Sequence, residues 1–353
     1  MKICFLGDGH HANTVSWITH VAEHLGHEVS LLTFGRADLN IPRVRVYTIG
    51  LGLRTFVRYV LCIPKVNRLV SMLKPDLLIG YRITSYGFMA ACTGYHPLVL
   101  AAQGRNIAYN GSTVKATFAR FAIRRADLIH SWGAHMTDTL LRLGASPARV
   151  LTLPRGVDTE LFTAPPEPHR QSRSTTIVST RGLNPDYNFD QVLNALSLLS
   201  SSRSDFKYVI CGDGPHRPQL LRQIQRLGLQ PYVDLVGRTR HEEVAKRLQD
   251  AHIYVSTVIS DGVSASLLEA MACGVFPIVT DNDANRLWVN DGVNGFLVRY
   301  GDSRHLADKI RLAMGDPELR RRAQPINRQL VVEKASIHSN MPLFDAAWKA
   351  LLR

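Results

Sequence analysis

Short apolar runs alternate with helical patterns along most of this chain, and that rhythm constrains the fold more than any other feature. Runs at 3–7, 27–34, 44–49, 76–80, 98–102, 127–131 and 150–153 each have the length of a short buried strand. Most of the intervals carry helical spacing, as at 14–25, 57–73 and 136–143. Strands alternating with helices are the pattern of a parallel, doubly wound sheet. A polar stretch with prolines at 164–174 interrupts the rhythm. The runs then restart at 176–180, 208–212, 233–236, 253–256 and 276–280. The pattern predicts an α/β chain with a domain over 1–163, a linker over 164–174, a second domain over 175–333 and a terminal helix over 334–353. A length of 353 residues fits two domains. In such sheets ligands bind outside the carboxyl ends of the strands, so site residues are sought there.

Composition narrows the class. A hydrophobic fraction of 45% is that of a globular protein with real cores. The longest apolar runs are short or broken by Pro, Gly, His or charge, so no transmembrane helix is expected. The apolar run after Met1-Lys2 is too short for a signal peptide and reads as a first strand. The five cysteines are scattered, without metal-ligand spacing, which fits reduced thiols in a cytoplasmic protein. The net charge is +13, and it is uneven. Residues 1–162 hold 18 Lys and Arg against 9 Asp and Glu, a net of +9; the remainder holds 24 against 20, a net of +4. A basic field attracts anionic membranes, nucleic acid or anionic substrates.

Residues 261–274, Asp-Gly-Val-Ser-Ala-Ser-Leu-Leu-Glu-Ala-Met-Ala-Cys-Gly, follow a buried strand and precede another. They read as a loop, a helix and a glycine stop. A loop feeding a helix N-terminus offers free backbone N–H groups and the positive end of the helix dipole, which suits a diphosphate. Asp261 stands in the loop, and Glu269 falls one to two turns into the helix. Ser or Asp before a helix is ordinary capping, and Leu-Leu-x-Ala-Met-Ala is ordinary core. Either acid alone carries little; the pair in this spacing is rarer.

This stretch resembles the donor-site motif of the family-4 retaining glycosyltransferases (glycosyl transferases group 1), which have the GT-B fold. The resemblance implies two Rossmann-like domains facing each other across a cleft, with a C-terminal helix crossing back to the first. It implies that Asp261 holds the transferred sugar and Glu269 the ribose, while Gly262, Val263, Ser264, Ser266, Leu267 and Tyr187 help to bind the donor. The family's usual first acid is Glu, so Asp261 is one methylene shorter. Arg181, at the end of the first strand of the second domain, matches a phosphate-binding arginine. The lysine that follows it in relatives is replaced here, with Tyr187 or Asn188 in its place. Gly237 and Arg238 match the segment that cradles the base through backbone groups. Gly212-Asp213-Gly214 also matches, although a tight turn alone would ask for those glycines. Asp281-Asn282-Asp283 reads as a polar loop after a strand rather than a metal-binding pair, and the resemblance calls on no metal.

The first domain resembles the family less closely. Gly26-His27-Glu28-Val29 matches its approach to the second strand. His10 and His11, after the first strand, are expected at the cleft edge, one of them touching the acceptor or the transferring sugar; a surface role is the alternative. Near the reacting carbon, where relatives place His or Asp, this chain has Gln103, Arg105 and Asn106. The resemblance is closest over 175–300, looser over 98–162 and loosest before that.

The implied reaction moves a sugar from a nucleotide diphosphate sugar to a hydroxyl of a glycan, glycolipid or small molecule, with retention. The attack is on the same face as departure, and the leaving phosphate oxygen takes the acceptor proton. Catalytic roles would fall to Arg181, Asp261, Asn106 and His11, and acceptor binding to His10, His11, Gln103 and Arg105. No cofactor is implied beyond the nucleotide-sugar co-substrate. The alternatives are a GT-B sugar-nucleotide epimerase or a non-catalytic nucleotide-sugar binding protein. A dinucleotide oxidoreductase is disfavoured because Gly7-Asp8-Gly9 lacks a third glycine at position 12. No zinc finger, helix-turn-helix or aromatic RNA-binding motif supports a nucleic-acid partner. Arg54, Arg58, Lys65, Arg68 and Lys74 are interleaved with apolar residues, and Pro64 breaks the helical pattern there. This is either a solvated helix face or a peripheral dock on an anionic inner membrane face, where a lipid-linked acceptor would lie.

Overall fold

The computed structural model describes residues 1–50, 57–102, 113–165, 174–259 and 262–353. The chain divides into two compact units. One comprises Met1–Arg155 with Ser339–Arg353, and the other Gly156–His338. The division thus falls at 155/156, ahead of the proline-bearing stretch at 164–174. Residues 166–173 of that stretch lie outside the described residues.

The first unit is built on seven strands: β1 (Lys2–Leu6), β2 (Glu28–Phe34), β3 (Val44–Gly50), β4 (Leu77–Tyr81), β5 (Leu98–Ala102), β6 (Leu128–Ser131) and β7 (Val150–Thr152). They form one parallel sheet in the order β3-β2-β1-β4-β5-β6-β7. β1, β4 and β5 are buried nearly throughout, the burial that continuous apolar runs require. The strand order reverses between β1 and β4, and the carboxyl ends there are the natural binding place. Pro64 sits in the first turn of the helix Ile63–Leu73 and separates it from the short helix Val57–Leu61. A proline is tolerated at that position because its missing N–H has no helical partner there.

The second unit has six strands: β8 (Thr175–Ser179), β9 (Phe206–Cys211), β10 (Val233–Gly237), β11 (Ile253–Ser256), β12 (Phe276–Thr280) and β13 (Phe296–Val298). Their order is β10-β9-β8-β11-β12-β13, again parallel, with the reversal between β8 and β11. Two apolar clusters, one on each side of this sheet, close it off from water: one around Phe189, Leu196 and Tyr208, the other around Tyr254, Leu268 and Met271. β13 was not expected. It is three residues long, and its apolar run follows directly on the turn at 291–295.

The expected terminal helix over 334–353 is the helix Ile337–Ala350, preceded by a longer helix, Pro317–Ala335. Pro317–Ala335 belongs to the second unit, and most of Ile337–Ala350 to the first. They break at Ser336, whose backbone is extended and bridges to Val157. Gly156 lies against this bridge at φ +89°, and a Cβ there would sit 2.7 Å from the carbonyl oxygen of Ala335. Only glycine fits both demands. Ile337–Ala350 then packs on the first unit. Trp348 Nε1 donates to His130 Nε2 at 3.0 Å, His27 Nε2 and Asp345 are 2.7 Å apart, and Asn340 donates to the Pro154 carbonyl at 2.8 Å.

Candidate active site

At the strand reversal of the second unit, the loop leaving β8 carries Arg181. Its guanidinium donates from Nη1 to Ser264 Oγ at 2.9 Å and lies 4.2 Å over the ring of Tyr187. Ser264 is the N-cap of the helix Ala265–Ala272, which follows β11, and its hydroxyl also accepts from the Leu267 N–H at 3.3 Å. Arg181 is thus held against a helix N-terminus, where first-turn amides have no helical carbonyl to bond. The Leu267 amide is spoken for by the cap. Ala265 and Ser266 supply the remaining amides of that turn. Gly262 is buried and Val263 half-buried against the core.

Three loops are laced together around Arg181. A Cβ on Gly212 would collide with the Arg181 carbonyl oxygen, and one on Gly214 with that of Leu183. Leu183 N–H donates to the Asp213 carbonyl, and Gly212 bridges to Gly237. These glycines therefore set the close backbone approach that places the arginine. Thr257, after β11, donates its hydroxyl to the carbonyl of Asn188 at 2.8 Å, fixing the short turn that carries Tyr187. Where the resemblance implies a lysine, this chain has an aromatic face beneath the arginine, and such a cation–π contact holds the guanidinium plane in place.

Glu269 is on the same helix and buried. Its Oε1 is 3.8 Å from Nε2 of His241, whose ring meets Phe162 edge-on at 4.9 Å. Nothing in the sequence marks His241, which stands 28 positions before Glu269 and reaches it only through the packing of adjacent β/α connections. Gly237 ends β10 at φ +88°, and Arg238 beyond it is exposed. The expected polar loop at 281–283 is an ion pair and a cap: Arg286 binds Asp281 through two nitrogens at 2.6 and 3.0 Å, and Asn282 caps the next helix. Asp261, Gln103, Arg105 and Asn106 lie outside the described residues.

In the first unit, His11 is the N-cap of the helix Ala12–Glu23, and its Nδ1 accepts from the Asn13 N–H at 3.2 Å. Histidine is not a usual cap, so no local signal pointed to this role. Burial, with Arg82 and then Arg155 adding to it against the opposing pull of Asp8, lowers its pKa to about 4. The ring is therefore neutral at pH 7, with its proton on Nε2. His10 is exposed and lies beside Gly35.

The family model described as glycosyl transferases group 1 matches residues 163–330, and that described as glycosyl transferase 4-like matches residues 2–132. Among curated relatives, the Bacillus subtilis protein EpsD is 30% identical over 177 residues, covering 47% of this chain and 46% of the relative. The phosphatidylinositol N-acetylglucosaminyltransferase gpi3 subunit of Schizosaccharomyces pombe is 28% identical over 144 residues, covering 40% and 31%. The chain therefore spans less than half the length of each of these relatives. Among solved structures, Anabaena Alr3699/HepE in complex with UDP-glucose superimposes with a TM-score of 0.83 at 18% identity, covering 99% of this chain and 100% of that one. Sucrose-phosphate synthase from Thermosynechococcus elongatus gives 0.82 at 14%, covering 99% of both. At such identities the structural likeness speaks for the fold. Models of two glycosyltransferase families match the two units separately, and with the strand–helix order in each unit these matches support a group 1 glycosyltransferase of the GT-B fold.

Proposed function

We propose that the chain transfers a sugar from a nucleotide diphosphate sugar to an acceptor hydroxyl, with retention of configuration. The observation that carries this reading is the fixed Arg181 guanidinium at the N-terminus of the helix Ala265–Ala272, on the strand reversal of the second sheet. A guanidinium and free helix amides at one place match the charge that grows on a departing diphosphate. In this scheme Asp261 holds hydroxyls of the moving sugar, Asn106 hydrogen-bonds near the reacting carbon, and the phosphate oxygen takes the acceptor proton. Arg181 and the helix terminus meet the diphosphate charge, so the scheme calls on no metal ion. Gly237 and Arg238 flank the base. A uracil base is supported by the UDP complexes of the structural neighbour.

Glu269 is assigned to the ribose. Glu269→Gln is expected to weaken nucleotide affinity by about 1.5–3 kcal/mol, the worth of a hydrogen bond to a charged acceptor. Thermal shift against UDP, GDP, ADP and dTDP and their sugars names the base and reads this loss, since bound ligand raises the melting temperature by mass action. Wild-type affinity in a folded Glu269→Gln protein would remove the ribose assignment. Binding of none of these nucleotides by the wild type would remove the donor reading itself.

The acceptor reading extends to a membrane surface. Among the described residues, no helix is long and apolar enough to cross a bilayer. Between Asp38 and Asp76 the sequence has seven Lys and Arg and no acid. Within that stretch the helix Val57–Leu61 buries none of its residues, Leu61 is 73% exposed, and Lys65, Arg68 and Lys74 are exposed. Arg58 is different: it stacks on Phe34 at 4.5 Å. We take this face as a peripheral dock on anionic lipid at the inner face of the membrane. Each basic residue near such a surface contributes about 1 kcal/mol. Lys65→Gln with Arg68→Gln should therefore cut sedimentation with phosphatidylserine vesicles at low salt, and high salt should release the wild type. A wild-type protein that ignores these vesicles at low salt points to a soluble acceptor.

A further inference from the structure

The strand reversal of the first sheet holds a cluster of donors that the reading above leaves unused. β4 ends at Tyr81, and Arg82 follows it at φ +69°, in the left-handed region that a side chain disfavours. Arg82 also opens a π-helical turn, Arg82–Tyr86. Irregular turns and strained backbone of this kind recur at functional sites. A second arginine, Arg155, comes in from beyond β7. It is 6% exposed and donates from Nη1 to the Asn13 carbonyl at 3.1 Å, in the first turn of the helix after β1.

Both guanidinium groups act electrostatically on the same two side chains, His11 and Tyr81. Tyr81 is 1% exposed, and its hydroxyl has no hydrogen-bond partner among the described residues. The same holds for the hydroxyl of Thr14, fully buried in the first turn of the helix, and for the indole N–H of Trp132, whose ring is 6.0 Å from that of Tyr81. Buried polar atoms without partners are rare, and a group of them marks a missing partner. The chemistry of these side chains says what it is. Arginine and indole only donate. The neutral His11, whose Nδ1 is taken by Asn13, presents Nε2–H, again a donor. Tyr81 and Thr14 can donate as well. Donors gathered near two cations call for an oxygen-rich anion, and two arginines fit a phosphate's oxygens with paired hydrogen bonds.

We propose that this edge of the first unit binds the phosphate group of the acceptor, between Arg82, Arg155 and Tyr81, so that the enzyme's acceptors are phosphate esters. The proposal rests on the first unit being the acceptor-binding one. The phosphate ester is either a soluble sugar or polyol phosphate or a lipid headgroup at the docked membrane.

The test uses the full chain with UDP at saturation, so that the second unit's diphosphate site is filled, and follows the His11 ring by NMR. Titration with glycerol 3-phosphate, with phosphatidylinositol in detergent-free vesicles, and with glycerol alone separates the sources. A saturable His11 shift with either phosphate ester and none with glycerol is expected. The soluble ester acting by itself identifies a soluble acceptor, and vesicles acting alone identify a headgroup. Arg82→Gln and Arg155→Gln should each weaken the phosphate response at least tenfold while UDP affinity stays at its wild-type value. Should Arg155→Gln not fold, Arg155→Lys keeps the charge and should stay within a few-fold of wild type, and Arg82→Gln stands by itself. Equal responses in wild type and Arg82→Gln, or an equal response to glycerol, overturn the proposal. A protein that binds no UDP overturns the donor reading instead, and the phosphate titration without UDP still reads this site at His11.

Discussion

Arg181→Ala is expected to lower turnover by about 10²–10³-fold, the cost of removing one preorganised donor from a site where negative charge develops. The expectation follows from how the side chain is held. Ser264 Oγ and the Tyr187 ring fix its guanidinium from two directions before any substrate arrives. A group already oriented for growing charge needs no reorganisation as the sugar–phosphate bond breaks. Its loss should therefore appear more in kcat than in donor affinity. The protein should stay folded, because Ser264 keeps its bond to the Leu267 amide and the helix keeps its cap. Arg181→Lys is the informative companion. It restores the charge without the planar fork, and so should recover affinity more than turnover. The measurement is steady-state kinetics beside binding of a donor analogue that cannot be cleaved. An equal loss in both would make Arg181 a binding residue only. No loss in either would mean that the strand-end match has misplaced the phosphate site.

How far this site was legible in the sequence depends on the distance over which each contact acts. The strand–helix rhythm is local, and it marks all the strands of the first sheet and five of the six in the second. The helix cap at Ser264 and the turn at Gly212–Gly214 are local too, since each is set by what its own backbone conformation demands. Tyr187 is harder. The sequence shows a missing lysine, and only the folded turn shows an aromatic ring supporting Arg181 in its place. A deletion and a replacement look alike until the side chains are placed. His241 beside Glu269 is harder still, because the pair is made by topology and not by spacing. The resemblance at 154–162 points to a crossing between domains there, but composition alone misplaces the division at 155/156. Composition marks the polar stretch at 164–174, whereas the crossing is made by Gly156 against the backbone of Ala335 and Ile337, a contact that no composition signals.

The second large effect is expected in stability. Trp348→Ala should cost about 3–5 kcal/mol, the range for emptying a fully buried large aromatic site. Trp348 is fully buried on the first unit, in a stack where Phe344 lies 4.2 Å from the ring of His130, with Trp17 6.0 Å from Phe344. These contacts join residues more than 200 positions apart, so the last helix closes the first unit's core. Urea unfolding of the first unit, followed by hydrogen exchange in β1, β4 and β6, reads the loss. Trp348→Phe keeps an aromatic ring in the stack but removes part of the indole and the N–H bond to His130, and should cost less, about 1–3 kcal/mol. The same bond makes the unit sensitive to acid. Burial lowers the pKa of His130 to about 3, and its Nε2 accepts from Trp348, so the folded ring is neutral. The unfolded ring titrates near 6.5. Between those two values the unfolded state takes up a proton that the folded state refuses. Stability is therefore complete above about 6.5 and falls as pH drops towards 3, by up to about 1.4 kcal/mol per pH unit for this one group. His11, lowered to about 4, adds a slope of the same sign over 6.5 to 4. A His130→Gln protein should lose the first of these slopes and keep the second. If Trp348→Ala unfolds at the wild-type urea midpoint, the last helix is an appendage and not part of the core.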